Sequence, residues 1–325
     1  MAIPNDSTEE ILSAAFFGYT EDMAARVTPD LRFAHYTSAE TALRIIHGDG
    51  TDQALWLRNA TEMNDFSEIE FGQACLESTL GRQDIEDRIK RISEALDIDI
   101  PTLVVGPMGE ERQRIKRDTF LLSLSEHDSD DNMGVLSMWR AYGGNSNVCL
   151  VFRTDALITP QDAYDVDITA VDYGGLDGFL ARFTRVLGDV ERNLEQLKLV
   201  DQELIVSNLK AVLDDMVLST KHPAFKEEKE WRLIYRRRAN PLIPAPPYKT
   251  VVVGGIAQVI HYLPMVDVPE NRVTKATLEE ILDRVIIGPT ANPALVREAF
   301  VAQLVEAGIS DPERRVVTCN IPLRR

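Results

Sequence analysis

Scarcities narrow this 325-residue chain before any motif does. It has only three cysteines, Cys75, Cys149 and Cys319. They are odd in number, far apart and without metal-ligand spacing, which excludes a disulfide framework or a cysteine zinc site and predicts reduced thiols. No apolar run approaches the roughly 20 residues that a membrane-spanning helix needs. The opening MAIPNDSTEE lacks the basic and apolar blocks of a secretory signal. A cytoplasmic, soluble protein is expected, with no membrane partner. Positive charge is also short: 35 Lys and Arg against 52 Asp and Glu leave a net charge of −17. Broad binding to nucleic acid, which depends on neutralising phosphates, is therefore disfavoured against a protein or small-molecule partner. No GxGxxG or Walker-type glycine loop occurs, so neither dinucleotide-binding Rossmann nor P-loop chemistry is expected. Repeats and low-complexity tracts are missing as well.

What is present reads as α+β. A helix over residues 7–18 precedes an alternating strand at Leu31–Tyr36, and Thr37 or Ser38 caps the helix that follows. Ala54–Arg58 forms a second strand. Helical patterning resumes from Phe66 to Leu80, Asp84 to Leu96 and Glu110 to Arg117. Thr119–Ser125 reads as a buried strand running into an acidic loop, Glu126–Asn132. Further strands are expected at Asn147–Phe152, Ala170–Tyr173, Tyr248–Val253, Arg284–Ile287 and Val316–Cys319. One or two long helices should fill 177–219, and another begins at Asn292-Pro293. With no visible linker, residues 1–30 read as an N-terminal helical extension. Residues 31–325 read as a single domain with helical insertions near 66–117 and 177–219.

The most informative stretch runs from Lys221 to Tyr235. It closes a helical segment with Pro223 and opens a strand, setting Glu227, Glu228 and Glu230 just before Trp231. Residues two apart share a face of an extended chain, so Glu228 and Glu230 are expected side by side, each raising the other's pKa. They are either a solvated charge run or an active-site pair. Arg232, Arg236 and Arg238 would likewise share a face, usable for a pyrophosphate or simply solvated. His35-Tyr36-Thr37-Ser38 sits at a strand-to-helix junction, suited to a ribose or phosphate. Asn64-Asp65 with Glu68 reads as a helix cap or a polar site. Trp139 and Tyr142, three apart, read as core or as an aromatic pocket.

Taken in order, His35-Tyr36-Thr37, Asn64-Asp65-x-x-Glu68, Ser123-x-Ser125, Met138-Trp139-x-x-Tyr142, Glu227-x-x-Glu230-Trp231-Arg232 and Ile287-Gly288-Pro289 resemble a large bacterial family known only as a domain of unknown function. The likeness runs from about Phe33 to Ile321-Pro322-Leu323-Arg324. It departs at Phe66, where such sequences often carry proline. This layout is in turn similar to the ADP-ribosyltransferase superfamily. The resemblance implies a split β-sheet core of short strands with inserted helices, and NAD as substrate. It implies that His35 bonds a ribose hydroxyl, with Tyr36 and Thr37 beside it. Trp139 or Tyr142 would stack on nicotinamide, and Ser123 and Ser125 would support the pocket, with Asn64, Asp65 and Arg232 as further contacts. Glu230 would hold the nicotinamide-ribose 2′-hydroxyl, and Glu228 would orient or deprotonate an acceptor. The expected function is NAD-dependent ADP-ribosyl transfer to an unidentified acceptor, in a toxin or phage-defence role by family analogy.

Three alternatives accompany it. Water as acceptor would make the protein an NAD glycohydrolase. The same fold could bind a nucleotide or partner without turnover. Lastly, Glu126, His127, Asp128, Asp130 and Asp131 could hold a divalent cation for phosphodiester hydrolysis, or be a charged surface loop.

Overall fold

In the computed structural model the described residues are 5–18, 26–28, 30–48, 53–62, 67–105, 108–142, 147–154, 157, 164–237, 244–253, 255–268 and 273–322. They form two compact units. One comprises Met1–Arg26, Thr61–Arg117 and Thr169–Glu227, the other Val27–Ala60, Asp118–Ile168 and Glu228–Arg325. The first unit takes in most of the expected N-terminal extension and the insertions expected near 66–117 and 177–219. The N-terminal extension and both helical insertions have apolar stripes that pack on one another, and together they make a core of their own.

That helical unit illustrates why. Ile85, Ile89, Ile92 and Leu96 recur at helical spacing along Gln83–Leu96, and Phe179, Phe183, Val186 and Val190 do so along Gly175–Arg192. Both stripes are buried in one cluster with Leu12 and Phe16 of the first helix, Asn5–Phe16, and with Leu209, Val212 and Met216 of Gln202–Leu218. Ser67–Leu80 approaches closely at Gly72, where a Cβ would lie 2.3 Å from the Val217 carbonyl oxygen; only glycine fits. Arg88 closes the surface with a two-pronged contact to Glu191, at 2.9 and 2.7 Å.

The other unit is built on a sheet. Its strands are β1 (Leu31–Ser38), β2 (Ala54–Asn59), β3 (Thr119–Asp128), β4 (Asn147–Arg153), β5 (Val166–Ala170), β6 (Glu230–Arg236), β7 (Tyr248–Val253), β8 (Ile256–Pro264), β9 (Leu282–Ile287) and β10 (Val316–Thr318). The order is β10-β9-β4-β1-β3-β2-β8-β7, with β6 also on β3 and β5 on β6. β3 pairs antiparallel with β1, β2 and β6, as do β1 with β4, β4 with β9, β2 with β8 and β8 with β7, while β9 and β10 run parallel, so the architecture is α+β with a mixed, mostly antiparallel sheet. Most strand ends shift by one or two residues from expectation, and the larger departures are at β3, β5 and β8. β3 continues through Asp128, β5 lies at 166–170 instead of 170–173, and β8 had no counterpart in the sequence reading.

β3 governs the layout. Along one edge it pairs with β6 over its whole inner length, from Thr119 opposite Arg236 to Ser125 opposite Glu230. Along the other edge its two ends hold different strands. Phe120 and Leu121 face Asn59 and Arg58 of β2, whereas Ser125 to Asp128 face Ala34 to Leu31 of β1. Between those ladders, Leu122, Ser123 and Leu124 have no strand partner on that edge among the described residues. β1 and β2 diverge there, leaving a split. Past it, β1 continues to Ser38, whose hydroxyl accepts from the Thr41 N–H and caps the helix Ala39–His47; Gly48 closes that helix at φ 88°.

Candidate functional site

His35 occupies the split. Its Nδ1 donates to the Ser123 carbonyl at 3.1 Å, satisfying a backbone oxygen that the diverging strands would otherwise leave without a ladder partner. A carbonyl only accepts, so Nδ1 carries the proton and Nε2 of the neutral ring is an acceptor. Burial, the dominant influence, pushes the imidazole pKa down. The Ser123 hydrogen bond opposes this, and the nearby Arg58 charge adds to the lowering. His35 is thus neutral at physiological pH, fit to receive a hydroxyl hydrogen bond.

The pairing registers sort the remaining predicted residues by face. Phe33, His35 and Thr37 share one side of the sheet with Glu126, Trp231 and Phe152. There Phe33 packs on Trp231 with ring centroids 5.3 Å apart, and the Trp231 indole donates to Glu126 at 2.9 Å. Ala34, Tyr36, Ser123, Ser125, Glu230 and Arg232 belong to the opposite side. By strand alternation His35 and Glu230 start from opposite faces with β3 between them, but the β1–β3 ladder stops at Ala34 and Ser125, and beyond it the His35 ring turns to the β3 edge at the Ser123 carbonyl. The split is where that side of β1 gives access to the edge of β3.

Glu230 is buried at the first position of β6. Arg232 holds both its oxygens, Nε at 2.8 Å and Nη2 at 3.0 Å. Glu228 does not stand beside it. Residues Pro223–Glu228 form a 3₁₀ helix and Lys229 adopts φ 42°, so the strand period starts only at Glu230. The Lys221–Tyr235 stretch is in fact cut by the boundary between units, after Glu227. Ser125 lies opposite Glu230 and is buried, and Ser123 opposite Arg232 is half-buried. Arg236 pairs with Asp167, so the arginine face is not a free anion site; Arg238 lies outside the described residues.

Tyr36 and Trp139 form core. Their rings meet edge-on at 4.8 Å and 76°, among Ala34, Met138, Cys149, Val151 and Ile286. Tyr36 Oη accepts from the Val135 N–H at 2.9 Å, and burial drives its hydroxyl pKa upward. The Trp139 indole donates to the Met133 carbonyl at 2.8 Å and is 2% exposed. Tyr142, the other aromatic offered for stacking, is half-buried at the end of the helix Leu136–Tyr142 and packs against the same cluster. Asn64 and Asp65, with Phe66, lie outside the described residues.

The acidic segment is not a loop through Asp128. Glu126 and His127 sit on opposite sides of β3, Glu126 bound to Trp231 and His127 Nε2 to the Asp131 carbonyl at 2.8 Å. Among the described residues no group of three or more His, Cys, Asp or Glu side chains is arranged to hold a metal ion. The helices described include none long and apolar enough to cross a membrane.

Two polar side chains at the split were not foreseen. Arg58, half-buried on β2, donates through Nε to the Gln258 side-chain oxygen on β8 at 3.0 Å. Arg58 is the only charged residue of Ala54–Asn59, the one signal the sequence offered; Gln258 fell in an unassigned strand.

His35, His127 and His261 all have pKa values below 6.5, each chiefly through burial. In the window below 6.5 the unfolded chain binds more protons, so their contribution to stability is complete above about pH 6.5 and is lost as pH falls towards the folded values. The slope is at most about 1.4 kcal/mol per pH unit for each. Urea unfolding at pH 7.5 and 5.5 should accordingly show a smaller acid loss for His35→Gln than for the wild type. Equal losses would mean that His35 titrates alike in both states.

A family described as a protein of unknown function (DUF2971) matches residues 138–233. The match spans Met138-Trp139-x-x-Tyr142 and Glu227-x-x-Glu230-Trp231-Arg232, and the expected likeness to a family of unknown function is borne out over that segment. No curated protein and no solved structure matches the chain.

Proposed function

We propose that the sheet unit binds NAD at its split and that the protein is an ADP-ribosyltransferase, with Glu230 as the carboxylate that steadies the reacting ribose. The observation that carries this reading is the strand arrangement around β3. A neutral histidine sits in the divergence of β1 and β2, Ser123-x-Ser125 lies on the shared strand, and a glutamate opens β6 directly opposite Ser125. Breaking the bond between nicotinamide and ribose sends its electron pair to the departing nicotinamide and leaves cationic character on the sugar. A fixed anion stabilises that charge more than the ground state. Arg232 keeps the Glu230 carboxylate in one orientation. The acceptor, from which a proton is lost as the new bond forms, is a protein or small molecule in keeping with the acidic chain.

A second reading rests on the same pair. Both Glu230 oxygens are already engaged by Arg232 in a buried site, which favours a nucleotide-binding module without turnover. The two readings diverge in one assay. Incubation with labelled NAD and lysate should yield free nicotinamide and labelled product, and Glu230→Gln should reduce both by on the order of 100-fold or more, with a matching circular dichroism spectrum as the control for folding. Saturable NAD binding with no nicotinamide released by the wild type would leave the module; no NAD binding would dismiss both.

A further inference from the structure

We infer that the outer edge of β7 is a self-association surface, where a second copy of this chain adds its own β7 antiparallel about a two-fold axis at Thr250. The inference is independent of the nucleotide reading of the split.

β7 ends the strand order, and among the described residues it pairs only with β8. The alternation of hydrogen bonds in that antiparallel ladder tells which of its backbone groups turn away. One step beyond the ladder, the Tyr262 N–H donates to the Pro247 carbonyl at 2.9 Å. Lys249, Val251 and Val253 therefore exchange bonds with β8, while Tyr248, Thr250 and Val252 direct theirs outward. Arg44 agrees with this, since its Nη1 donates to the Val252 carbonyl from outside the ladder at 3.0 Å. Natural edge strands are blunted by charge, proline or a bulge. β7 contains no proline and no break in its register with β8. Its one charged residue, Lys249, is held on the other face, 5.2 and 5.4 Å from the ring centroids of Trp56 and Tyr262.

The face beside this edge is open as well. Tyr248, Thr250 and Val252 share one side of β7, and Ala257 and Val259 continue it on β8. Tyr248 is 70% exposed, Val252 53% and Val259 38%. A contiguous exposed apolar patch marks an interaction surface. Charge selects the occupant. A chain of net charge −17 repels its own copy over most approaches, yet residues 239–266 hold no acid and a single charged residue, Lys249, although 27% of the chain is charged. Two copies can meet there without opposing like charges, provided that the two Lys249 side chains are kept apart.

The outward groups allow three two-fold registers. Centring on Lys249 sets the two ammonium groups against each other, and centring on Val251 leaves Tyr248 past the end of the other strand. Centring on Thr250 engages every outward residue. Thr250 then faces the partner's Thr250, Tyr248 faces the partner's Val252, and Lys249 faces the partner's Val251. An aromatic residue opposite a β-branched one is a favourable cross-strand pair, and the Val252 carbonyl can accept a second bond beside that of Arg44. The contact is isologous and closes on itself, giving a dimer and not a fibre. A single strand-to-strand contact belongs to the small end of specific interfaces, so the dimer is a dissociable one.

Sedimentation velocity of the full chain, at loading concentrations on the order of 1–100 µM, tests this. The wild type should pass from monomer to dimer as concentration rises. Thr250→Lys and Thr250→Glu each set like charges across the axis and should each weaken the dimer on the order of 10-fold or more. An equimolar mixture of the two variants should dimerise again, because opposite charges then meet. Thr250→Pro deletes an N–H that β8 does not use, so it should remove the dimer as well. Urea unfolding of each variant at the lowest concentration controls for folding, and Val252→Ser, at another exposed position of the edge, replaces any Thr250 variant that unfolds. A wild type that stays monomeric throughout, or a dimer indifferent to every edge change, would overturn the inference. Monomeric single variants whose mixture fails to recover would overturn the pairing at Thr250. Binding of a monomeric wild type to phosphatidylcholine vesicles, lost in Thr250→Lys, would assign the patch to lipid instead.

Discussion

Replacing Arg232 with methionine is expected to destabilise the sheet unit by roughly 3–5 kcal/mol, because a carboxylate would remain buried without its partner. The side chains of Arg232 and Glu230 are 3% and 4% exposed, and the guanidinium contacts both carboxylate oxygens. Neither ion has water to fall back on. The cost of a single change is therefore dominated by the charge left behind, not by the attraction removed. The test is a comparison of Arg232→Met, Glu230→Met and the double variant in urea. The double variant should be far more stable than the two single losses summed, since it buries no unpaired ion. Additive losses would show that solvent or another group relieves each charge. The same set bears on function: a double variant that folds normally yet leaves NAD intact assigns Glu230 to the reaction and not merely to the strand.

Trp139→Ala is the second large effect, about 3–5 kcal/mol as expected for truncating a buried aromatic. Its surroundings leave little scope for collapse. A Cβ on Gly288 would lie 2.6 Å from the indole, and one on Gly134, at φ 70°, would lie 3.0 Å from it. Tyr36 packs edge-on, and the indole N–H holds the Met133 carbonyl. Tyr142→Ala, at a half-buried position, should lose much less stability while weakening any ligand that stacks there. Fluorescence-monitored denaturation of both variants, with NAD titrated into each, distinguishes them. A mild Trp139→Ala and a severe Tyr142→Ala would reverse the assignment of core and pocket.

Much of the sheet could be read in advance. β4 and β6 announce themselves through apolar and β-branched runs, and β1 by alternation into a capped helix. Other elements were hidden by side chains that find partners only in three dimensions. Glu126 and His127 look like the start of a solvated loop, yet β3 absorbs them because Trp231 and the Asp131 carbonyl receive their polar atoms. β8 carries Gln258 and His261, both buried, which disguise a strand. The pairing of Glu228 with Glu230 failed for a local reason: a period of two cannot pass through Lys229 in a left-handed conformation. Within the site, His35 and Glu230 were identifiable as residue types, but their faces depend on long-range register. The division into units was invisible because no glycine- or proline-rich linker marks the crossings.

Those crossings constrain how the molecule is made and dissected. The backbone passes from one unit to the other at 26/27, 60/61, 117/118, 168/169 and 227/228. On the ribosome, the helical unit has all its segments only once residue 227 has emerged, while β3 must wait for β6, more than a hundred positions later, to gain its full-length neighbour. Such late closure favours slow assembly and prolonged exposure of half-paired strands to chaperones. It also means that no single proteolytic nick or truncation can liberate an intact half; separating the two calls for excising and rejoining several segments at once.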